Sequence, residues 1–349
     1  VNLFLLRARA VKPDFKITER NVKDIIQLCA YLEGIPLAIE LAAANIEQIS
    51  IHNMLRQGQN RLMWLNNGAC DLEYRQRTLR NTIEWGYNLL NENQKRLFRR
   101  LGVFTGKFDL KAVQAVTNCE NDIEDLPKTV YSLLNKSFLT KVTDIEYEHE
   151  EYEEKFSMLE IICEYASELL SISEEENYIK ECYCDYYLSL VTEAEFKMNG
   201  QERQRWLWEL EFSHSNILNA LKHLHMTDSH QKELKLAGAM GYFWEVRGFW
   251  NEGISILESL VQKYGSSIES KDYVKVFEWL GRLTHLQGNP EKSISILRNS
   301  LSLARKIGDL MGEAAILYKL SLAVSMLGNL EEEEKLANGS LNIYSQIDY

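Results

Sequence analysis

Gly248, Gly288 and Gly328 stand forty residues apart, and each opens the same kind of helix. The segments GFWNEGISILESLV, GNPEKSISILRNSL and GNLEEEEKLANGSL align without a gap, with Ile254 over Ile294 and Leu257 over Leu297. A second apolar helix precedes each corner: LKLAGAMGYFWEVR, VKVFEWLGRLTHLQ and AILYKLSLAVSMLG. Gly241 and Gly281 fall at the same place ahead of their corners, and Ser321 takes that place in the third copy. A helix-turn-helix unit repeated at a fixed period buries its apolar faces only by stacking on its neighbours, so the end of the chain is expected to be an α-solenoid. Trp206, Trp208, Phe212, Phe243, Trp244, Trp250 and Trp279 read as the stacking core of such a solenoid rather than as a ligand cage.

The small residue before a Gly-Asn corner resembles the tetratricopeptide repeat, stretched past its usual ~34 residues by a longer loop between repeats. Upstream, DYYLSLVTEAEFKMNGQERQRWLWELEFSHSNILNAL supplies another helical pair, split at Asn199 and Gly200. The absence of a polar capping helix suggests that further repeats or a partner cover the end. The start at Val1, inside an apolar pattern, suggests a fragment of something longer.

The rest of the chain also reads as helical, with only four prolines, Pro13, Pro36, Pro127 and Pro290, placed where helices start or break. The net charge of −12 argues against a protein that coats nucleic acid or anionic membrane with its whole surface. No apolar run approaches the ~18 residues of a membrane span, so a soluble, cytoplasmic protein is expected. Six scattered cysteines without a C-x-x-C pair read as reduced structural thiols.

Near the start, Thr18 is expected to cap a helix with Val22, Ile25, Ile26, Cys29 and Leu32 on one face, closed by Gly34. Pro36 then opens PLAIELAAANIEQ, whose Ala38, Ala42, Ala43 and Ala44 allow another backbone close. Ser50 offers an N-cap to a short helix with Ile51, Met54 and Leu55. Taken alone, a Gly-x-Pro corner is a helix-helix turn. The longer string CAYLEGIPLAIELAAANI resembles the GxP segment of the STAND class of signal-transduction NTPases, which includes NB-ARC switches and bacterial transcriptional activators. That resemblance implies a small helical domain beside a nucleotide and places Gly34, Pro36 and Leu37 near its base.

From about residue 74, Leu79, Ile83, Leu89 and Leu90 keep helical spacing, and Asn91 with Gln94 forms a capping box before Leu97, Phe98 and Leu101. Asp109 and Asp125 are placed to cap two more helices, the second carrying Val130, Leu133 and Leu134. FLTKV and KFSML then alternate around an acidic stretch, and LEIICEYASELL returns to helix. Helices followed by one β-hairpin suggest a winged helix. QRTLRNTIEWGYNLL, SLLNKSFL and MLEIICEYA resemble segments of bacterial STAND proteins in this order.

Charge argues against direct binding of nucleic acid by this region. Asp144, Glu146, Glu148, Glu150, Glu151, Glu153 and Glu154 crowd the expected wing, and the expected recognition helix offers only Lys128 and Lys136. Arg75, Arg77, Arg80, Lys95, Arg96, Arg99 and Arg100 form a local basic excess, either a solvated face balanced by the acidic wing or a docking surface for a nucleotide domain.

Met158, Leu159 and Glu160 stand where NB-ARC relatives carry Met-His-Asp, whose histidine senses the diphosphate. Leu159 cannot donate a hydrogen bond and reads as a core residue, and Glu160 suits a helix start. The chain contains no G-x-x-x-x-G-K-[ST], G-x-G-x-x-G, G-x-S-x-G or H-E-x-x-H, so no catalytic residue, resident cofactor or phosphate cradle is assigned to it. His214, His223, His225 and His230 do not have metal-ligand spacing, so no metal site is expected.

These readings divide the chain into a helical GxP domain over 1–68, a winged-helix domain over 69–172, a helical linker pair over 173–230 and tetratricopeptide-like repeats over 231–349. The resemblance implies the sensing part of a STAND-type ATPase that regulates transcription. ADP or ATP with Mg would be held by an upstream nucleotide-binding domain, and a protein or small-molecule inducer by the repeats. The alternative is a nucleotide-independent repeat scaffold for protein-protein interaction.

Overall fold

The computed structural model describes residues 1–18, 21–32, 34–47, 49–55, 74–118, 120–142, 154–198, 200–227, 229–265 and 267–347. It is mainly α, with one small sheet, and divides into two compact units, Val1–Tyr183 and Cys184–Tyr349.

The first unit opens with α1 (Asn2–Val11), α2 (Val22–Tyr31), α3 (Pro36–Ala44) and α4 (51–55). Phe4 and Ala8 of α1, Ile25 and Leu28 of α2, and Ala38, Ala42 and Ala43 of α3 share one core with Ile51, Met54 and Leu55. The alanines let α3 pack on both α1 and α5 (Tyr74–Asn88). Two details differ from expectation. Asn21, not Thr18, is the N-cap of α2, and its side chain caps no helix N–H, since its Oδ1 accepts instead from the Thr18 N–H at 2.7 Å. Helix α3 ends at Ala44 rather than at Gln48, where the Asn45 side chain turns back to the Leu41 carbonyl at 2.8 Å.

The capping box at α6 (Glu92–Leu101) is present in both directions, between Asn91 and Gln94. It fixes the helix so that Leu97, Phe98 and Leu101 are fully buried, each contributing about 1.5–3 kcal/mol by transfer from water. Asp109 caps α7 (Leu110–Thr117) and Asp125 caps α8 (Leu126–Asn135). β2 (Thr140–Val142) and β3 (Lys155–Ser157) pair antiparallel, followed by α9 (Glu160–Ser171). The expected hairpin is therefore present, but it belongs to a three-stranded sheet. β1 (Phe108–Asp109) adds to the far side of β3, with Phe108 opposite Phe156. The acidic residues from Asp144 to Glu153, the Arg75 and Arg77 side chains, Cys70 and Cys119 lie outside the described residues.

α10 (Glu176–Lys197) carries the division between the units, and α11 (Arg203–Met226) completes the expected pair. Three helix pairs follow: α12 (His230–Arg247) with α13 (Trp250–Tyr264), α14 (Lys271–Leu286) with α15 (Pro290–Ile307), and α16 (Leu310–Ser325) with α17 (Leu330–Gln346). All three corner glycines are left-handed, at φ +76°, +88° and +77°.

The sequence repeat is also a contact repeat. Ser300 Oγ donates to the Val274 carbonyl at 3.1 Å, and forty residues on Ser340 Oγ donates to Ala314 at 2.8 Å. The expected long loop is found only once, over 265–270. Between the second and third repeats α15 runs for eighteen residues and only Gly308 and Asp309 separate it from α16, so longer helices there keep the period. Phe243 and Trp244 are wholly buried, as a stacking core requires.

Candidate functional site

The corner between α2 and α3 is built as the sequence demands. Gly34 is left-handed at φ +71°, its N–H reaching the Cys29 carbonyl at 3.1 Å, and Pro36 occupies the first turn of α3. Gly34 and Pro36 are both exposed, and a Cβ built at Gly34 would meet nothing within 4 Å. The Leu37 side chain lies outside the described residues.

Met158, Leu159 and Glu160 join β3 to α9. Leu159 is 44% exposed, which overturns its expected place in the core. It is the N-cap, with extended backbone at ψ 142°, so the helical spacing that buries Ile162 and Ala166 does not reach it. Met158 and Glu160 line a groove of about 720 Å³ with Phe104, Cys163, Glu164 and Ser167. Burial raises the Cys163 thiol to about 11, reinforced by Glu164 and Glu160, so it stays protonated at neutral pH. α5 packs against both α3 and α9 and is the element common to the two candidate positions.

These residues fit one part of a nucleotide only. The open, exposed Pro36 ring can offer an apolar surface to a base. Phosphate needs donors or positive charge, whereas the start of α9 presents Leu159 and the Glu160 carboxylate.

Among the described residues, every member of the basic excess, Arg80, Lys95, Arg96, Arg99 and Arg100, meets a carboxylate of the first unit. Arg100, with its side chain only 7% exposed, forks onto Asp122 with two contacts of 2.8 Å. It also reaches Glu175 at 2.5 Å and the Thr117 carbonyl at 2.7 Å. Arg99 pairs with the other oxygen of Glu175, Arg96 with Asp122, Arg80 with Glu168 and Lys95 with Glu92. The bond from Arg100 holds the Asp122 carboxyl below its ordinary value, against the opposing effect of burial. In the expected recognition helix, burial pushes the Lys136 ammonium below its ordinary value. Asp122 and Glu175 were missed by sequence reasoning because nothing local marks them as partners of Arg100.

In the second unit the charges are likewise engaged between helices. Arg282 meets Glu245 at 2.6 Å and Lys319 meets Glu278 at 2.5 Å while lying 3.4 Å from the Trp279 ring centre. His214 meets Glu252, and His225 meets Glu233, each at 2.7 Å. No group of three His, Cys, Asp or Glu able to hold a metal occurs among the described residues. None of their helices is long and apolar enough to cross a membrane.

Comparison with known proteins agrees with the repeat architecture. Residues 273–346 match the tetratricopeptide repeat family, so the last two helix pairs are tetratricopeptide repeats. Over 325 residues the chain is 28% identical to proteins of Mycobacterium tuberculosis and Mycobacterium bovis provisionally named HTH-type transcriptional regulators. The alignment covers 88% of this chain and 35% of each regulator, so the chain spans about a third of their length. An uncharacterized Mycobacterium tuberculosis protein is 31% identical over 185 residues, 52% of this chain and 46% of that one.

Two solved structures superpose loosely. One is a Signal Transduction ATPase with Numerous Domains (STAND) protein with a tetratricopeptide repeat sensor from Pyrococcus horikoshii. Its TM-score is 0.37 at 14% identity, covering 99% of this chain and 53% of that chain. The other is PlcR of Bacillus thuringiensis in complex with the peptide PapR7 and DNA, at TM-score 0.37 and 13% identity, covering 95% and 96%.

Proposed function

We propose that this chain is the sensing and regulatory part of a STAND-type switch that controls transcription, with its tetratricopeptide repeats receiving a protein or peptide signal. The observation that carries the reading is the alignment of 88% of the chain with proteins named as transcriptional regulators, in a molecule whose second unit is a repeat stack. Within the first unit, a GxP helical domain over 1–68 and a winged-helix domain over 69–172 would brace a nucleotide domain. Pro36 would contact the base of ADP or ATP. The phosphates and Mg would be held by groups outside this chain, which has no phosphate loop of its own.

The switch would be a population shift between a closed and an open arrangement. A signal drives it only in proportion to its preference for the open form, and moving a population from 1:99 to 99:1 requires a difference of about 5.5 kcal/mol. A reporter assay of the full-length protein tests the regulatory reading. Deleting residues 231–349 should leave transcription unresponsive to the inducing condition, whereas a normal response without the repeats would refute the sensor role.

A further inference from the structure

The groove that α9 forms with residues 102–106, which follow the last turn of α6, lies wholly within the first unit and has both of its walls in place. A Cβ at Gly102 would lie 2.4 Å from the Ser167 backbone nitrogen, so α6 and α9 already touch backbone to backbone and cannot fill the cleft by packing nearer. Its volume of about 720 Å³ is that of a ligand cleft. The floor is uncharged: Phe104 is buried, Met158 is half-buried, and the Cys163 thiol donates to the Phe104 carbonyl at 3.0 Å.

One wall is acidic. Glu160, Glu164 and Glu168 follow one another at four-residue spacing along α9, which makes them neighbours on one helix face about 5–6 Å apart. Glu168 shows what this row takes, because its two oxygens receive both terminal nitrogens of the Arg80 guanidinium from α5. Glu160 and Glu164 are exposed and meet no Arg, Lys or His among the described residues. Carboxylates above an apolar floor suit a side chain with an apolar stem and a planar cationic head, which is arginine.

We propose that this groove docks a protein segment carrying arginine beside an apolar side chain, with the guanidinium on Glu160 and Glu164 and the apolar group against Phe104 and Met158. The lining runs along α9 from Glu160 to Ser171, about 17 Å at the helical rise. A short stretch of chain spans that length and a single small cation does not. Met158 and Glu160 thereby face a cationic partner rather than a phosphate. The proposal does not rest on the regulatory reading above, and either can fail without the other.

The test is fluorescence anisotropy of a labelled hexapeptide alternating leucine and arginine, titrated with the 349-residue chain. Glu160→Gln combined with Glu164→Gln should weaken binding about tenfold with an unchanged circular dichroism spectrum. Glu120→Gln combined with Glu124→Gln, which removes two exposed carboxylates of the same unit outside the groove, should bind as the wild type does. A hexapeptide alternating serine and arginine keeps the charge without the apolar side chains and should also bind more weakly. A wild type that does not bind the leucine peptide would overturn the proposal. Equal binding by the two double variants, or equal affinity for the two peptides, would do the same and leave only attraction to a chain of net charge −12. Binding of free arginine amide as tightly as the leucine peptide would overturn it in favour of a small-molecule site.

Discussion

Two residues show how closely single positions govern this molecule. A Cβ at Gly281 would lie 2.5 Å from Leu297 Cγ, inside its own helix pair, whereas one at Gly241 would lie 2.1 Å from Trp279 Cγ in the next repeat. The same sequence position thus serves packing within a repeat in one copy and between repeats in another. Gly281→Val should destabilise the second unit by about 2–3 kcal/mol through overpacking, read as a lower thermal midpoint. An unchanged midpoint would contradict the packing described. Arg100→Ala should cost the first unit about 3 kcal/mol, because Asp122 and Glu175 would lose their shared partner in a largely buried setting. Asp122 has a folded pKa below the ordinary 3.8, so its contribution is present above that value and is lost as pH falls through the lower, folded one. Urea midpoints of the wild type and Asp122→Asn should therefore differ at pH 6 and converge as pH drops below about 4. None of this network was legible in the sequence, since Arg100 and its partners lie 22 and 75 positions apart. Leu159 departs from its expected core place for a simpler reason: lacking a donor does not bury a residue, and as the N-cap it precedes the first turn of α9.

At the scale of elements, legibility followed local chemistry. The capping box at α6, the Asp109 and Asp125 caps, the first-turn prolines and the left-handed corner glycines are all set by neighbours within a few residues, and all are present. What depended on distant pairing was missed. β1 is only two residues long and acquires its identity from β3. The forty-residue period was plain, yet its division was not, because an eighteen-residue α15 with a two-residue turn spans the same length as a shorter helix with a loop. Asn289 and Asn329 each cap the second helix of their pair, through Lys292 and Glu332 N–H. Asn329→Ala should lower stability by about 1 kcal/mol in urea denaturation, with the same expected of Asn289→Ala. A clear difference between the two would show that the corners are not equivalent.

For the whole molecule, the sequence conveyed the order of parts, and the structure corrected what their charges do. Arg80, Arg96, Arg99 and Arg100 are engaged by carboxylates of the same unit, and the net charge of −12 opposes the approach of phosphates. The isolated chain should therefore show no linear log-log dependence of affinity on salt with random duplex DNA, measured by fluorescence anisotropy. The nucleotide-proximal positions are less legible from this chain, since exposed Gly34 and Pro36 would acquire a role only from a domain packed against them. The most direct measurement is the nucleotide content of the full-length protein as purified, compared with its Pro36→Ala variant. The account predicts bound adenine nucleotide in the wild type and a marked loss in the variant. A full-length protein that carries no nucleotide and binds none when supplied would contradict the switch and leave a repeat scaffold.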